Sequence, residues 1–456
     1  YAGPMKIALS ADGTTLAVGH KYGSLDGGPG GGFVRVHKWN GAAWTQLGSD
    51  ADMAGVDGTP TDSMGRGMGM SADGLTVVAA AGVGYFLATC RAYTYDAGTD
   101  QWTQRGEELS FDSTPEQLMP WSDAWLSADG TTVALAVNYY PDVRLFVYKW
   151  DGAAWVRLAD VVSTVSYHAG GFTAAFSADG TILAAGQRNS NTPVSDAGHV
   201  DVYAYDAATD QWQPMGGAIY GDAASDMAGN VALSDDGAVL AVGGNFHDSA
   251  RGRARVYAWT GATWAPLSEV LYGEATGDRF GGSPGLALSG DGATLAVGGM
   301  YNDAADGTDS NRGHVRVFAR YSHPSPPSPP SSSPPPLPAP PPHNPPPPWS
   351  PPPPPMPGMH VTTAGYAQLG TDIDGEAVGD QSGLPVALSA DGRTLAVAAN
   401  ANDGGGVVDA GHVRVYAWSG TAWAQRGADI DGDASTGRYA GPMKIALSAD
   451  GTTLAV

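Results

Sequence analysis

Ile7-Ala8-Leu9-Ser10-Ala11-Asp12-Gly13-Thr14-Thr15-Leu16-Ala17-Val18 decides how the rest of the chain reads. Apolar alternation, an Asp-Gly pair and apolar alternation again predict two short antiparallel strands joined by a tight turn. Glycine supplies the positive φ of such a turn, and the aspartate before it bonds its own backbone. Ser-x-Asp-Gly returns at Ser71, Ser127, Ser177, Ser234, Ser289, Ser389 and Ser448, at spacings of 61, 56, 50, 57, 55, 100 and 59 residues. The long interval holds a low-complexity run from His323 to Pro357. With ~40 residues set aside there, seven similar units remain before the eighth turn repeats the first.

Each unit has the same order of parts. After the hairpin come a Gly/Asp/Asn-rich loop and a third strand such as Val34-Arg35-Val36-His37-Lys38-Trp39 or Val413-Arg414-Val415-Tyr416-Ala417-Trp418. A short turn (Asn40-Gly41, Asp151-Gly152, Ser419-Gly420) leads to a fourth strand opening at Trp44, Trp155 or Trp423. Four short strands per unit predict an all-β fold, a seven-bladed β-propeller of four-stranded blades interrupted by a polyproline II segment. The expected division is six blades over 1–321, a Pro-rich linker over 322–360, a seventh blade over 361–438, and a half-blade over 439–456.

Composition agrees with many turns and few helices: 456 residues hold 65 Gly and 34 Pro, and no long amphipathic helical period is visible. The formal net charge of -23 argues against nucleic acid and anionic membrane surfaces as partners. The longest apolar window, Thr76 to Cys90, contains two glycines and is too short to span a bilayer, so no membrane insertion is expected. The sequence starts in mid-pattern at Tyr1 and reads as a window on a longer polypeptide. Cys90 is the only cysteine, so no intrachain disulfide can form. Aligned on their last residue, the third strands match it to Val34, Leu145, Val200, Ala254, Val315 and Val413, the place of a small buried hydrophobe.

Alternation on the third strand turns Val34, Val36, Val315, Val317, Val413 and Val415 towards a neighbouring blade, and Arg35, Arg91, Arg255, Arg316 and Arg414 the other way. The arginines read as a solvated, charge-balanced face or as an anion site. In the run from His323 to Pro357, consecutive prolines fix φ and remove amide donors, so it cannot join a sheet. At ~3.1 Å per residue it would reach ~110 Å, far enough to leave one propeller and arrive at another. Tyr439 to Val456 are identical to Tyr1 to Val18 at all 18 positions, which implies a linear array built from a 438-residue unit, and hence copies of the chain in a linear or helical assembly.

The search for chemistry finds little. Asp372, Asp374, Glu376 and Asp380, and Asp429, Asp431 and Asp433, place carboxylates at intervals that suit either calcium or plain blade-connecting turns. Calcium, at Asp372, Asp374, Asp429, Asp431 and Asp433, is the one cofactor considered. His199, His314 and His412 each open a third strand as Gly-His-Val and read as hydrogen-bonding blade components, since no His/Cys cluster has zinc spacing. Gly27-Gly28-Pro29-Gly30-Gly31-Gly32 lacks the lysine and helix of a phosphate loop. No nucleophile elbow or Ser/His/Asp set is visible, and the chain is expected not to be an enzyme.

Gly277-Asp278-Arg279-Phe280-Gly281 through Gly298-Gly299, with Gly-His-Val-Arg-Val after it, resembles the FG-GAP repeats of integrin-α-type seven-bladed propellers. Tyr205-Asp206-Ala207-Ala208-Thr209-Asp210-Gln211-Trp212 looks like a kelch blade ending. Ser325-Pro326-Pro327-Ser328-Pro329-Pro330 through Pro355 is similar to hydroxyproline-rich glycoproteins of green-algal walls and of flagellar fibres such as mastigonemes. The likeness to hydroxyproline-rich glycoproteins implies a secreted chain, hydroxylated and O-glycosylated at Ser325, Pro326, Pro327, Ser328, Pro329, Pro330, Pro334, Pro335, Pro336, Pro345, Pro346, Pro347, Pro348, Pro351, Pro352, Pro353, Pro354 and Pro355. The expected role is a structural subunit of an extracellular fibre, on a cell or flagellar surface. The alternative is an adhesion or carbohydrate-binding propeller.

Overall fold

The computed structural model describes residues 6–20, 32–49, 67–83, 87–109, 118–139, 142–163, 172–303, 311–321, 365–403, 407–432 and 444–456. Its strands form seven antiparallel meanders of four strands each, a seven-bladed β-propeller, and an eighth two-stranded sheet. We number the blades in chain order: one (7–46), two (67–104), three (118–163), four (172–220), five (230–272), six (286–374) and seven (382–431). In blades four to seven a short fifth strand pairs with the start of the third.

The Ser-x-Asp-Gly turn works as its chemistry demands. Ser10, fully buried, donates its hydroxyl to Asp12 Oδ1 at 2.6 Å and accepts the Thr15 amide at 2.8 Å. Asp12 in turn accepts the Thr14 amide, and Gly13 takes φ +67°. These bonds hold the Asp12 carboxyl down at about 2, the Ser10 hydroxyl being the main cause. The equivalent serines of all eight turns are buried.

The turns also join one another around the axis. At seven of the eight steps the residue after the serine donates its amide to the same position of the next hairpin, from Ala11 to Ala72 to Ala128 and from Ala178 through Asp235, Gly290, Ala390 and Ala449 back to Ala11, at 2.7–2.9 Å. The repeated end therefore takes its own place, between blade seven and blade one. A Cβ added at Gly13 would lie 2.6 Å from Thr453 Cβ, so the two copies touch as closely as any neighbours. Two identical half-blades share one ring by standing side by side, which the sequence reading had not weighed.

The core lies between blades. Each of six apolar clusters takes residues from two successive blades, as Val78, Ala80 and Cys90 pack against Val133, Leu135 and Phe146. A smaller cluster sets Ala396, Ala398 and Val413 of blade seven against Ile445 and Leu454 of the half-blade. Cys90 and the six positions aligned with it are all fully buried, and burial pushes the Cys90 thiol well up. Tryptophans stitch the same junctions: the indole N–H of Trp102, Trp155, Trp264 and Trp423 donates to the backbone carbonyl of Leu47, Arg105, Met215 and Leu369 on the preceding blade, at 2.7–2.9 Å.

The proline-rich run lies outside the described residues, but its two ends do not. Tyr321 closes the third strand of blade six and pairs directly with Gly365, which opens the fourth. Residues 365–374 thus complete blade six rather than begin blade seven. Within this chain the run departs from and returns to one hairpin, so it does not carry the chain from one ring to another. In a meander the 3–4 turn and the 1–2 turn share a face, so the run leaves from the face of the Ser-x-Asp-Gly turns, at the rim.

Candidate functional site

The opposite face holds the starts of the third strands. There His199, Arg253, His314 and His412 occupy one register position, opposite Gln187, Gly244, Gly299 and Ala399 of the second strand. Arg253, His314 and His412 each lie beside the loop that leaves the preceding blade. Their chemistry differs by blade.

In blade five the position is Arg253, 5% exposed. Its guanidinium pairs with Asp222 and, at 3.2 Å, with the buried Asp226, both on the loop leaving blade four. Asp226 also caps that loop by accepting the amides of Asp222 and Ala223 at 2.7 and 3.0 Å. A buried carboxylate so placed needs a cation, and arginine supplies it.

Blades six and seven repeat the loop but change the partner. Asp278 accepts the amides of Glu274 and Ala275, and Asp380 those of Glu376 and Ala377, so Glu274 and Glu376 stand where Asp222 does. The strand now opens with His314 or His412, at 0% and 1% exposure. His314 Nδ1 lies 3.9 Å from Glu274 Oε2 and 3.7 Å from Asp372 Oδ2. His412 Nδ1 lies 3.7 Å from Glu376 Oε2 and 3.9 Å from Asp429 Oδ2. These separations are too long for hydrogen bonds, and neither ring nitrogen of either histidine has a hydrogen-bond partner among the described residues.

Burial, aided by the charge of Arg316, pushes the His314 imidazolium down to about 4, against the pull of Asp372 and Asp278. Burial and Arg414 lower His412 in the same direction. Both imidazoles are therefore neutral near pH 7, each with a lone pair to offer. Asn302 holds the first cluster from outside, donating its amide to Glu274 at 3.2 Å and Asp278 at 3.3 Å. Asn402 donates likewise to Asp380 at 3.1 Å.

The carboxylates picked out from sequence divide accordingly. Asp372 and Asp429 join the two histidine clusters. Asp374 and Asp431 pair in register with His314 and His412 but are exposed, and Asp433 lies outside the described residues. The prolines and serines named for hydroxylation and glycosylation, from Ser325 to Pro355, also lie outside them. His199 bonds Asp201 at 3.1 Å, as a hydrogen-bonding blade component should, whereas His314 and His412 do not behave so. Their partners Glu274 and Glu376 sit two residues past the preceding blade's last paired strand. A third-strand histidine seen alone gives no sign of them.

The arginines are not simply a solvated face. Arg91 pairs with Glu108 at 2.8 Å. Arg316 donates to the Tyr272 carbonyl and Arg414 to the Asp374 carbonyl, each across a blade junction. On the axis, the turn face opens into a cavity of about 460 Å³ lined by Met68, Met70, Trp125, Phe176 and the turn residues. Asp235 is the one acid lining it. Burial and the charges of Asp236 and Asp291 raise its carboxyl.

The class of protein these features define is the seven-bladed β-propeller. No protein-family model matches the chain, and no curated protein does. Among solved structures it is similar to a Bacteroides uniformis protein provisionally named a 6-phosphogluconolactonase, at 13% identity and TM-score 0.51 over 92% of this chain and 97% of that one. It is also similar to Sqt1 from Chaetomium thermophilum, at 15% identity and TM-score 0.54 over 100% and 93%. A third is KlAtg21, solved with the coiled coil of AgAtg16, at 12% identity and TM-score 0.51 over 94% and 100%. At such identities the likeness is one of fold. It corrects one expectation: a propeller of this build carries the name of a lactonase, so the missing catalytic motif does not make this chain a non-enzyme.

Proposed function

We propose that the chain is a structural subunit of an extracellular fibre on a cell or flagellar surface, with the propeller as body and the proline-rich run as a glycan-bearing arm. The observation that carries the reading is the seat of the repeated end. The ring accepts a hairpin of sequence 444–456 by backbone bonds from Ala390 and to Ala11, and the same hairpin offered by a neighbouring copy has the same donors and acceptors to meet. The likeness of one part to FG-GAP repeats and of the other to hydroxyproline-rich wall glycoproteins supports it.

Electron microscopy of the native chain, with sedimentation over a concentration series, tests the proposal. Ordered filaments that disappear on replacing residues 322–364 with a short Asn-Gly turn, or on deleting 439–456, are expected. Monomers at every concentration, with no O-glycan on the proline-rich run, overturn it. Monomers that bind a glycan array would transfer the reading to the adhesion alternative.

A further inference from the structure

Among the described residues, the two histidine clusters share a composition that no other third-strand entry has. Where the strand opens with His314 or His412, the residue before the short fifth strand is Asp372 or Asp429. Where it opens with Arg253 that residue is Val270, and where it opens with His199 it is Ala218. Among blades four to seven, where the short fifth strand is present, the extra carboxylate thus stands beside the buried imidazoles that make no hydrogen bond, whereas in blade two the equivalent Glu108 is taken by Arg91. Arginine in blade five shows what the same loop does when the protein carries its own cation.

We propose that Glu274, His314 and Asp372, and again Glu376, His412 and Asp429, each bind a divalent transition-metal cation of the zinc type at the junctions of blades five with six and six with seven. In each trio the ligand atoms lie within 4.8 Å of one another. Two ligands on arms of about 2.0–2.2 Å at a tetrahedral angle stand about 3.4 Å apart, so the 3.7–3.9 Å separations need only a slight contraction. One imidazole nitrogen and two carboxylates suit zinc or cobalt better than calcium, which takes six to eight oxygens. Each glutamate comes from one blade and its histidine and aspartate from the next, so a bound ion clasps the junction. Arg316 and Arg414 lie beside the two trios, and Arg414 Nη1 is 3.8 Å from Glu376 Oε1. Asp278 and Asp380 add a third carboxylate on each side, keeping negative charge in excess.

Equilibrium dialysis of the chelator-stripped full chain against zinc chloride should give two equivalents per chain. Glu274→Gln and Glu376→Gln, at exposed side chains that leave both histidines in place, should each remove one equivalent, and the double variant both. Cobalt(II) in place of zinc should give the intense visible bands of a tetrahedral site, absent in His314→Gln plus His412→Gln. Fewer than one equivalent, two equivalents that survive the double variant, or saturation by calcium but not zinc would each overturn the proposal.

Discussion

The junction of blades four and five and the two junctions that follow it are built on one loop with different occupants. In the first, Arg253 reaches into the carboxylates of Asp222 and Asp226 and the junction carries its own cation. In the others a neutral imidazole faces Glu274 with Asp372, or Glu376 with Asp429, and no cation of the chain lies within hydrogen-bonding reach of His314 or His412 among the described residues. The difference teaches that a repeat can keep its geometry and exchange its source of positive charge. An arginine is permanent, whereas a histidine–carboxylate trio depends on what the solution supplies.

The sharpest way to break the contrast is to remove the permanent cation. Arg253→Met takes the guanidinium from the buried Asp226, leaving it the His247 ring at 2.8 Å, and should cost about 3–5 kcal/mol in urea unfolding. His314→Gln in chelator should cost less, because no ion pair or hydrogen bond is lost and only the packing of the buried ring against Phe280 changes. Equal losses in the two variants would erase the distinction between the junctions.

Features common to all junctions should show no such contrast. Ser234→Ala and Ser389→Ala each strand a buried amide, of Val239 and Thr394, and should each cost about 1–3 kcal/mol. Trp264→Phe and Trp423→Phe each lose one indole bond to the preceding blade, worth about 1 kcal/mol, and should match one another in thermal unfolding. The smallest effect is on acid stability. Asp12, Asp179 and Asp450 have carboxyls held below their ordinary value, Asp12 at about 2. A depressed folded-state value stabilises the fold above the unfolded value near 4, and that gain disappears as pH falls from about 4 to about 2. Asp12→Asn should flatten this fall slightly, read as urea midpoints at pH 5, 3 and 2.

Much of this was legible in the chain. The Asp-Gly turns, the alternating third strand and the Trp at the head of the fourth are local patterns, and local patterns give strands and their order. Cys90 could be placed by alignment because its burial follows from register alone. What could not be read depends on neighbours distant in sequence. Gly365-Tyr366 belongs to blade six, yet the proline run separates it from Tyr321, and tyrosine stands where other blades have tryptophan. Glu274 lies 40 residues before His314, on another blade, so the trio has no spacing to search for. The seat of 446–455 beside 7–18 was hidden by identity itself, since a repeated stretch says nothing of whether its copies share a ring.

The claim at the centre of the account is that the residue opening the third strand decides whether a junction carries its own cation or takes one from solution. Arg253→His combined with Val270→Asp converts blade five to the pattern of blades six and seven. Zinc dialysis of this variant beside the unaltered chain should give three equivalents against two. The same count in both, or none in either, would contradict the claim.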